Sequence, residues 1–289
     1  ELILVPFKSG GYDYGYDSLL VCPRNAAFFG FAMAQLQAFV DLRTVEKFRP
    51  HAVVYAAPPF RHTHFGGKQV VVHCRRPEIQ LHEVFSYNLY PGPSAKKGIY
   101  SVLIDIGEQE GWVTAHASSA RIITPYENEM VMMHEGASGG GKSELLQDVM
   151  RSPDGRVLLG VDLVSGEERY ISMSDTCTIA PVTDDMAMCP PSIQDGSGKL
   201  VLTDGEDGWF VRVDGITEYG CEPQYEKIAI HSKEPLMFIN LQAVPRATCL
   251  PWEHILDSDG KPCPNTRVIV PRRLIANEVN RPVEVDVRS

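Results

Sequence analysis

An apolar run, a glycine-rich octet and a helix-forming segment follow one another between Glu129 and Met150, EMVMMHEGASGGGKSELLQDVM. Within it, GASGGGKS fits G-x-x-x-x-G-K-[ST], with Gly136, Gly141, Lys142 and Ser143 at the fixed positions. No other feature constrains the fold as much, because a strand has to deliver the chain to a tight turn and a helix has to carry it away. MVMM is expected as a buried strand and SELLQDVM as the helix. Glycines permit torsions that turn successive amide hydrogens inward, and the following helix aims its positive N-terminal end at the same anion. The expectation is a P-loop in which Gly136, Ala137, Ser138, Gly139, Gly140, Gly141, Lys142, Ser143 and Glu144 surround a triphosphate. Lys142 would lie along the β and γ phosphates, and the Ser143 hydroxyl would hold a divalent cation. The bland alternative is a flexible loop of glycine and serine.

The rest of the chain bounds what such a loop can serve. A net charge of −10 over 289 residues disfavours nucleic acid or an anionic membrane as partner, since both need basic faces. No apolar run approaches the roughly 18 residues that span a bilayer, and Glu1 opens no basic, then apolar, leader. A cytoplasmic setting is expected. The seven cysteines, Cys22, Cys74, Cys177, Cys189, Cys221, Cys249 and Cys263, are scattered without a C-x-x-C pair and read as reduced thiols. The lack of an initiator Met and the charged VEVDVRS ending suggest a piece of a longer chain.

Helical spacing of Ala, Leu, Met and Phe over 19–48, bracketed by Pro23 and Pro50, predicts one long helix. Val-rich runs at 51–57 and 68–74, GIYSVLIDIG at 98–107 and GWVTAHASSARI at 111–122 read as strands. Beyond the octet, RVLLGVDL, KLVLTD, GWFVRVDGI, KIAIHS, PLMFINLQAV and TRVIVP read as strands too, with an inserted loop at about 174–199. The chain is expected to be α/β, with mixed sheets in two lobes: residues 1–110 on the substrate side and 111–289 carrying the P-loop. Arg61, His62, His64, His73, Arg75 and Arg76 form a basic cluster better suited to a substrate anion than to zinc, because no acidic partner stands at ligand spacing.

Several segments together resemble phosphoenolpyruvate carboxykinase, chiefly its ATP-dependent form, over about 90–271. YPGPSAKKGIYSVLI is similar to the family's tyrosine, double lysine and G-x-F-S segment, and TAHASSA to its M-H-C-S-A-N. The resemblance implies Lys97 and His116 as metal ligands, with Ser143, and Lys96 beside them. LTDGEDGWFVRVDG resembles G-D-D-E-H-G-W, matching Glu206, Gly208 and Trp209, but Gly205 stands where the family has its metal-binding aspartate. Asp204 or Asp207 is expected to substitute. TEYGCEPQYEKIAI faintly resembles F-E-G-G-C-Y-A-K. PNTRVIVP resembles E-N-T-R-V-S-Y-P, which implies that Arg267 approaches the transferred phosphoryl group.

The resemblance therefore implies a carboxykinase-like fold, ATP or GTP with Mg2+ or Mn2+, and phosphoryl transfer involving a small anionic carboxylate. Lys142, Arg267 and Lys96 would be the catalytic cations, and Arg61 and Tyr90 would face the substrate. A lysine ligates a metal only as the neutral amine. The family's T-G-R-S-P-K-D segment has no counterpart, and its chain continues further past the arginine matched by Arg267, so the P-loop lobe is expected to be incomplete at its C-terminus. The octet is equally similar to the loop of HPr kinase/phosphorylase, which acts on a protein. A nucleotide-binding regulatory module without catalysis is the remaining expectation.

Overall fold

The computed structural model describes residues 1–11, 13–56, 70–87, 92–137, 140–143, 146, 151–172, 177–212, 233–239, 267–275 and 282–285. Strands dominate, and the architecture is mixed α and β. β1 (Leu2–Ser9) pairs antiparallel with β2 (Tyr16–Pro23), and β3 (Ala38–Phe39) covers the other edge of β1. β4 (Ala52–Ala56) runs parallel to β2, β6 (Leu81–Ser86) runs parallel to β4, and β5 (Val71–Arg76) returns antiparallel along β6. This six-stranded sheet buries Leu20, Val54 and Val84 under two helices, α1 (Ala27–Leu36) and α2 (Lys97–Glu110).

Two assignments made from the sequence change here. The long helix expected over 19–48 is a strand followed by the ten-residue α1. Ser18, Leu20 and Cys22 alternate inward in β2, as a half-buried strand requires, and β1 supplies the partner that the sequence did not reveal. GIYSVLIDIG, expected as a strand, lies in α2. Ile99, Val102, Leu103 and Ile106 recur at helical spacing into the core, so packing overrides their β-branched propensity. Gly111 ends α2 at φ 79°, its N–H donating to the Gly107 carbonyl.

The following strands form smaller antiparallel sheets. β8 (Ala117–Ile123) lies between β9 (Glu129–Glu135) and β12 (Thr178–Thr183). β7 (Val113–Ala115), β13 (Ala187–Cys189), β14 (Leu200–Asp204) and β18 (Val283–Val285) form a second sheet. β15 (Gly208–Arg212) and β16 (Met237–Ile239) flank β17 (Arg267–Pro271), while β10 (Arg156–Val161) and β11 (Glu168–Ser172) make a separate hairpin. The loop expected at about 174–199 thus holds β12 and β13, whose short apolar runs gain their order by pairing with β8, β7 and β14. MVMM does form β9, but as an edge strand with Met130 and Met132 more than half exposed, not the buried strand expected. KIAIHS and all of SELLQDVM except Ser143 and Leu146 lie outside the described residues.

β15 begins hard against the end of α1. A Cβ added at Gly208 would lie 2.1 Å from the Gln35 carbonyl oxygen, and the Asp207 N–H donates to the Leu36 carbonyl at 3.0 Å. Because the obstacle is backbone, Gly208→Ala has to push β15 off the helix. The expected loss is about 1–3 kcal/mol, read as a lower urea midpoint. An unchanged midpoint would contradict this close approach.

Candidate functional site

The site forms where strands change sheets. His116 is the single residue between β7 and β8, and Asp184, Asp185 and Met186 connect β12 to β13. Because β12 pairs with β8 and β13 pairs with β7, the two crossovers face each other. The β8–β9 hairpin then brings the octet to the same end, where the Gly136 N–H donates to the His116 carbonyl at 3.3 Å. The N-terminus of α2 supplies Lys97, and the wide helical turn Gly92–Lys96 supplies Lys96.

Asp185 holds this assembly together. Its carboxylate lies 2.5 Å from Lys97 Nζ, 2.7 Å from His116 Nε2, 3.4 Å from Lys142 Nζ and 3.5 Å from Lys96 Nζ. Lys97 Nζ is itself 2.8 Å from His116 Nε2, so one ring nitrogen meets both an ammonium and a carboxylate. Burial resists ionisation of Asp185, but Lys96, Lys97 and His116 hold its carboxyl far below the usual range. Burial keeps His116 below the ordinary histidine value despite Asp185, and Lys97 and Lys142 push the same way. The imidazole is therefore neutral near neutral pH.

The octet joins the cluster through its last two fixed residues. Ser143 Oγ donates to Asp184 Oδ1 at 2.6 Å. Lys142 is buried, and its ammonium donates to the Gly136 and Ala137 carbonyls at 3.0 and 3.1 Å. Gly141 takes φ 82°, a torsion that suits only glycine comfortably. Gly140 lies in the same turn, its N–H donating to the Ala137 carbonyl.

Lys96 is almost fully buried between three acids, with Nζ 3.7 Å from Asp184, 3.5 Å from Asp185 and 3.6 Å from Glu206. Burial opposes its charge, but the surrounding acids hold its pKa above the ordinary lysine value. Glu206 is a different case. Burial pushes its carboxyl up to about 8 against the pull of Lys96, and neither oxygen has a hydrogen-bond partner among the described residues. Of the acids around Lys96, Glu206 does most to hold the lysine charged, followed by Asp185 and Asp184.

The structure brings Lys96, Lys97, His116, Lys142 and Ser143 together as the sequence led us to expect. Asp204 makes other contacts. Its carboxylate accepts from Trp209 Nε1 at 3.0 Å and from the Glu206 N–H at 3.2 Å, and pairs with Arg272 at 3.3 Å. At Gly205 a Cβ would meet the Met186 and Met188 side chains at 3.2 Å, so an aspartate there would require these methionines to shift by a few tenths of an ångström. Asp207 uses its backbone to tie α1 to Arg272. The carboxylates at the cluster are Asp184 and Asp185, which lie within the stretch expected as an inserted loop. Their signal was the TDD triplet between two short apolar runs, a turn that adds two acids to a cation-rich site.

Arg267 opens β17 opposite Arg212 in β15. Ser138, Gly139, Glu144, Arg61 and Tyr90 lie outside the described residues, as do His62 and His64. The described part of the basic cluster has acidic partners: Arg75 pairs with Asp105 and Glu108, and Arg76 with Glu83. Among the described residues no group of three His, Cys, Asp or Glu side chains is placed to hold a metal, so any metal site here would draw on lysine or serine as well. Nor does any described helix have the length and apolarity to cross a membrane. The described cysteines, Cys22, Cys74, Cys177 and Cys189, are free thiols.

Across its full length, residues 1–289, the sequence matches the family model described as "Domain of unknown function (DUF4914)". The chain belongs to the DUF4914 family. No curated protein matches it. The DUF4914 description carries no activity, so the chemistry has to be argued from the cluster itself.

Proposed function

We propose that this DUF4914 chain binds ATP or GTP with magnesium or manganese and transfers a phosphoryl group between the nucleotide and a small carboxylate, on a phosphoenolpyruvate carboxykinase-like fold. One observation carries the reading. The Asp184–Asp185 turn touches the octet through Ser143 and Lys142 and touches Lys97 and His116 as well, joining the octet to two of the segments on which the resemblance rests.

The donor set suits a divalent cation. His116 Nε2 has one lone pair or one N–H and cannot answer both Lys97 and Asp185, whereas a cation accepts lone pairs from all three. Lys97, His116 and Asp185 would hold one metal ion, and Ser143 with Asp184 would bind a nucleotide-associated one. The metal would neutralise charge on phosphate oxygens. Phosphoryl transfer asks a protein mainly to position the reacting groups and offset charge. With Lys97 spent as a neutral ligand, Lys96, Lys142 and the metal would supply the positive charge for this purpose. Lys142 is held by carbonyls that a phosphate can replace, and Arg267 is assigned to the transferred group. The HPr kinase reading shares the octet but gives no role to Lys97 beside His116, so the small carboxylate is favoured. A cytoplasmic setting fits the free thiols.

Calorimetry with ATP and GTP in the presence of manganese tests the cradle. Lys142→Ala removes a charge-assisted contact of about 1.5–3 kcal/mol, so affinity is expected to fall by about tenfold or more. Equal affinities in wild type and variant would reject the P-loop assignment.

A further inference from the structure

A second polar constellation lies on the six-stranded sheet, where His73, Arg75, His82 and Val84 share the face covered by α2. His73 stands opposite Val84, and Arg75 stands opposite His82, in the β5–β6 register. His82 and Asp105 are buried, and His82 Nδ1 lies 3.0 Å from Asp105 Oδ2. His82 Nε2 lies 2.9 Å from His73 Nδ1, with the two rings edge to face. Arg75 Nε completes the row at 3.1 Å from the second Asp105 oxygen. His73 is exposed on β5, at the edge of the sheet.

The row fixes its own protons. Asp105, paired with Arg75, accepts from His82 Nδ1–H, so His82 Nε2 is a lone pair and accepts from His73 Nδ1–H. His73 Nε2 is then a bare lone pair facing solvent. Partial covering of the otherwise exposed His73 ring, with His82 and Arg75 beside it, and burial of His82 hold both imidazoles below the ordinary histidine value, so the neutral forms this pattern requires prevail near neutral pH. An exposed nucleophile backed by a base that a carboxylate orients is the arrangement that activates weak nucleophiles, and Arg75, two residues along the same face, places a cation beside it.

We propose that His73 Nε2 is a phosphoryl-accepting site, phosphorylated by a small phosphoryl donor, with His82 and Asp105 as positioning residues. The Nε2 lone pair forms the N–P bond as the bond from phosphorus to the leaving group breaks, its electron pair departing with that group. The positive charge gained by the ring is shared as the Nδ1 proton shifts toward His82 Nε2 and the His82 Nδ1 proton toward Asp105. Arg75 offsets charge on the phosphoryl oxygens. This site shares no residue with the triphosphate cradle and does not depend on that reading.

Phosphoramidate is the probe, its leaving group being ammonia. Incubating the full chain with it is expected to give acid-labile label on His73, assigned to Nε2 by phosphorus NMR and peptide mass spectrometry, and absent from His73→Gln. His82→Gln, and independently Asp105→Asn, are expected to slow labelling about a hundredfold, within the range of positioned proton transfer. Nitrogen NMR of the unlabelled wild type is expected to show the His73 proton on Nδ1, a readout that needs no variant to fold. Absence of label on His73, label on its Nδ1, labelling of either positioning variant at the wild-type rate, or a proton on His73 Nε2 would each overturn the proposal.

Discussion

Asp185→Asn is expected to lower stability by about 3 kcal/mol at neutral pH and to remove manganese-dependent triphosphate binding. Among the described residues, Asp185 is the carboxylate shared by Lys96, Lys97, Lys142 and His116. With an amide in its place, three buried or half-buried lysine side chains are left to Asp184 and to Glu206, whose own carboxyl burial pushes up to about 8. The folded-state pKa of Asp185 is depressed, so its contribution is present above the unfolded value of about 4 and is lost as pH falls below it. Urea unfolding of wild type and variant should therefore differ by a constant amount between pH 7 and about pH 5, and the gap should begin to narrow, by up to about 1.4 kcal/mol per pH unit, only below about pH 4. A gap that stays constant below about pH 4 as well would show that the loss comes from packing, not charge. Retained manganese affinity in the variant would remove Asp185 from the proposed metal set.

The octet was legible because its constraint is local: glycine torsions, a lysine and a serine are written in consecutive residues. Lys97 and His116 could be paired from the resemblance alone, and the structure supplies the physical link through the β7–β8 crossover and the start of α2. Asp184 and Asp185 were not legible in the same way. Two acids in a short turn are ordinary surface residues until β12 and β13 pair with β8 and β7 and carry the turn into the lysines. The same limit explains the helix expected over 19–48, where apolar spacing is compatible with either element and β1 decides between them. For α2 the deciding pattern was present, but β-branched residues concealed it. Asp204 or Asp207 is expected as a metal ligand because Gly205 stands where the resembling family has its aspartate, and the alignment does not disclose that Trp209 Nε1 bonds the Asp204 carboxylate within the core.

The largest stability effect is expected at Arg272, which is 1% exposed and reaches Asp204 on β14 at 3.3 Å and the Val182 carbonyl on β12 at 3.4 Å. Arg272→Met keeps most of the volume but leaves Asp204 with only Trp209 and the Glu206 N–H as partners, and losing one member of a buried pair costs about 3–5 kcal/mol. The loss should depend on pH. Burial already raises Asp204 to about 6 with the arginine present, and removing the cation raises it further. Below pH 6 both native proteins hold a neutral Asp204, so the difference between them is smallest there. Above pH 6 the wild-type carboxyl ionises against Arg272 while the variant keeps its proton, so the gap widens by up to about 1.4 kcal/mol per pH unit until the variant's own carboxyl ionises. Urea unfolding at pH 5 and pH 8 measures this. Adding Asp204→Asn to Arg272→Met should recover much of the loss at pH 8 and little at pH 5, because the neutral amide does at high pH what the bound proton does at low pH. A loss that is equal at both values, or a double variant no more stable than Arg272→Met at pH 8, would mean that Arg272 contributes through packing and its carbonyl contact and not by holding the charge of Asp204.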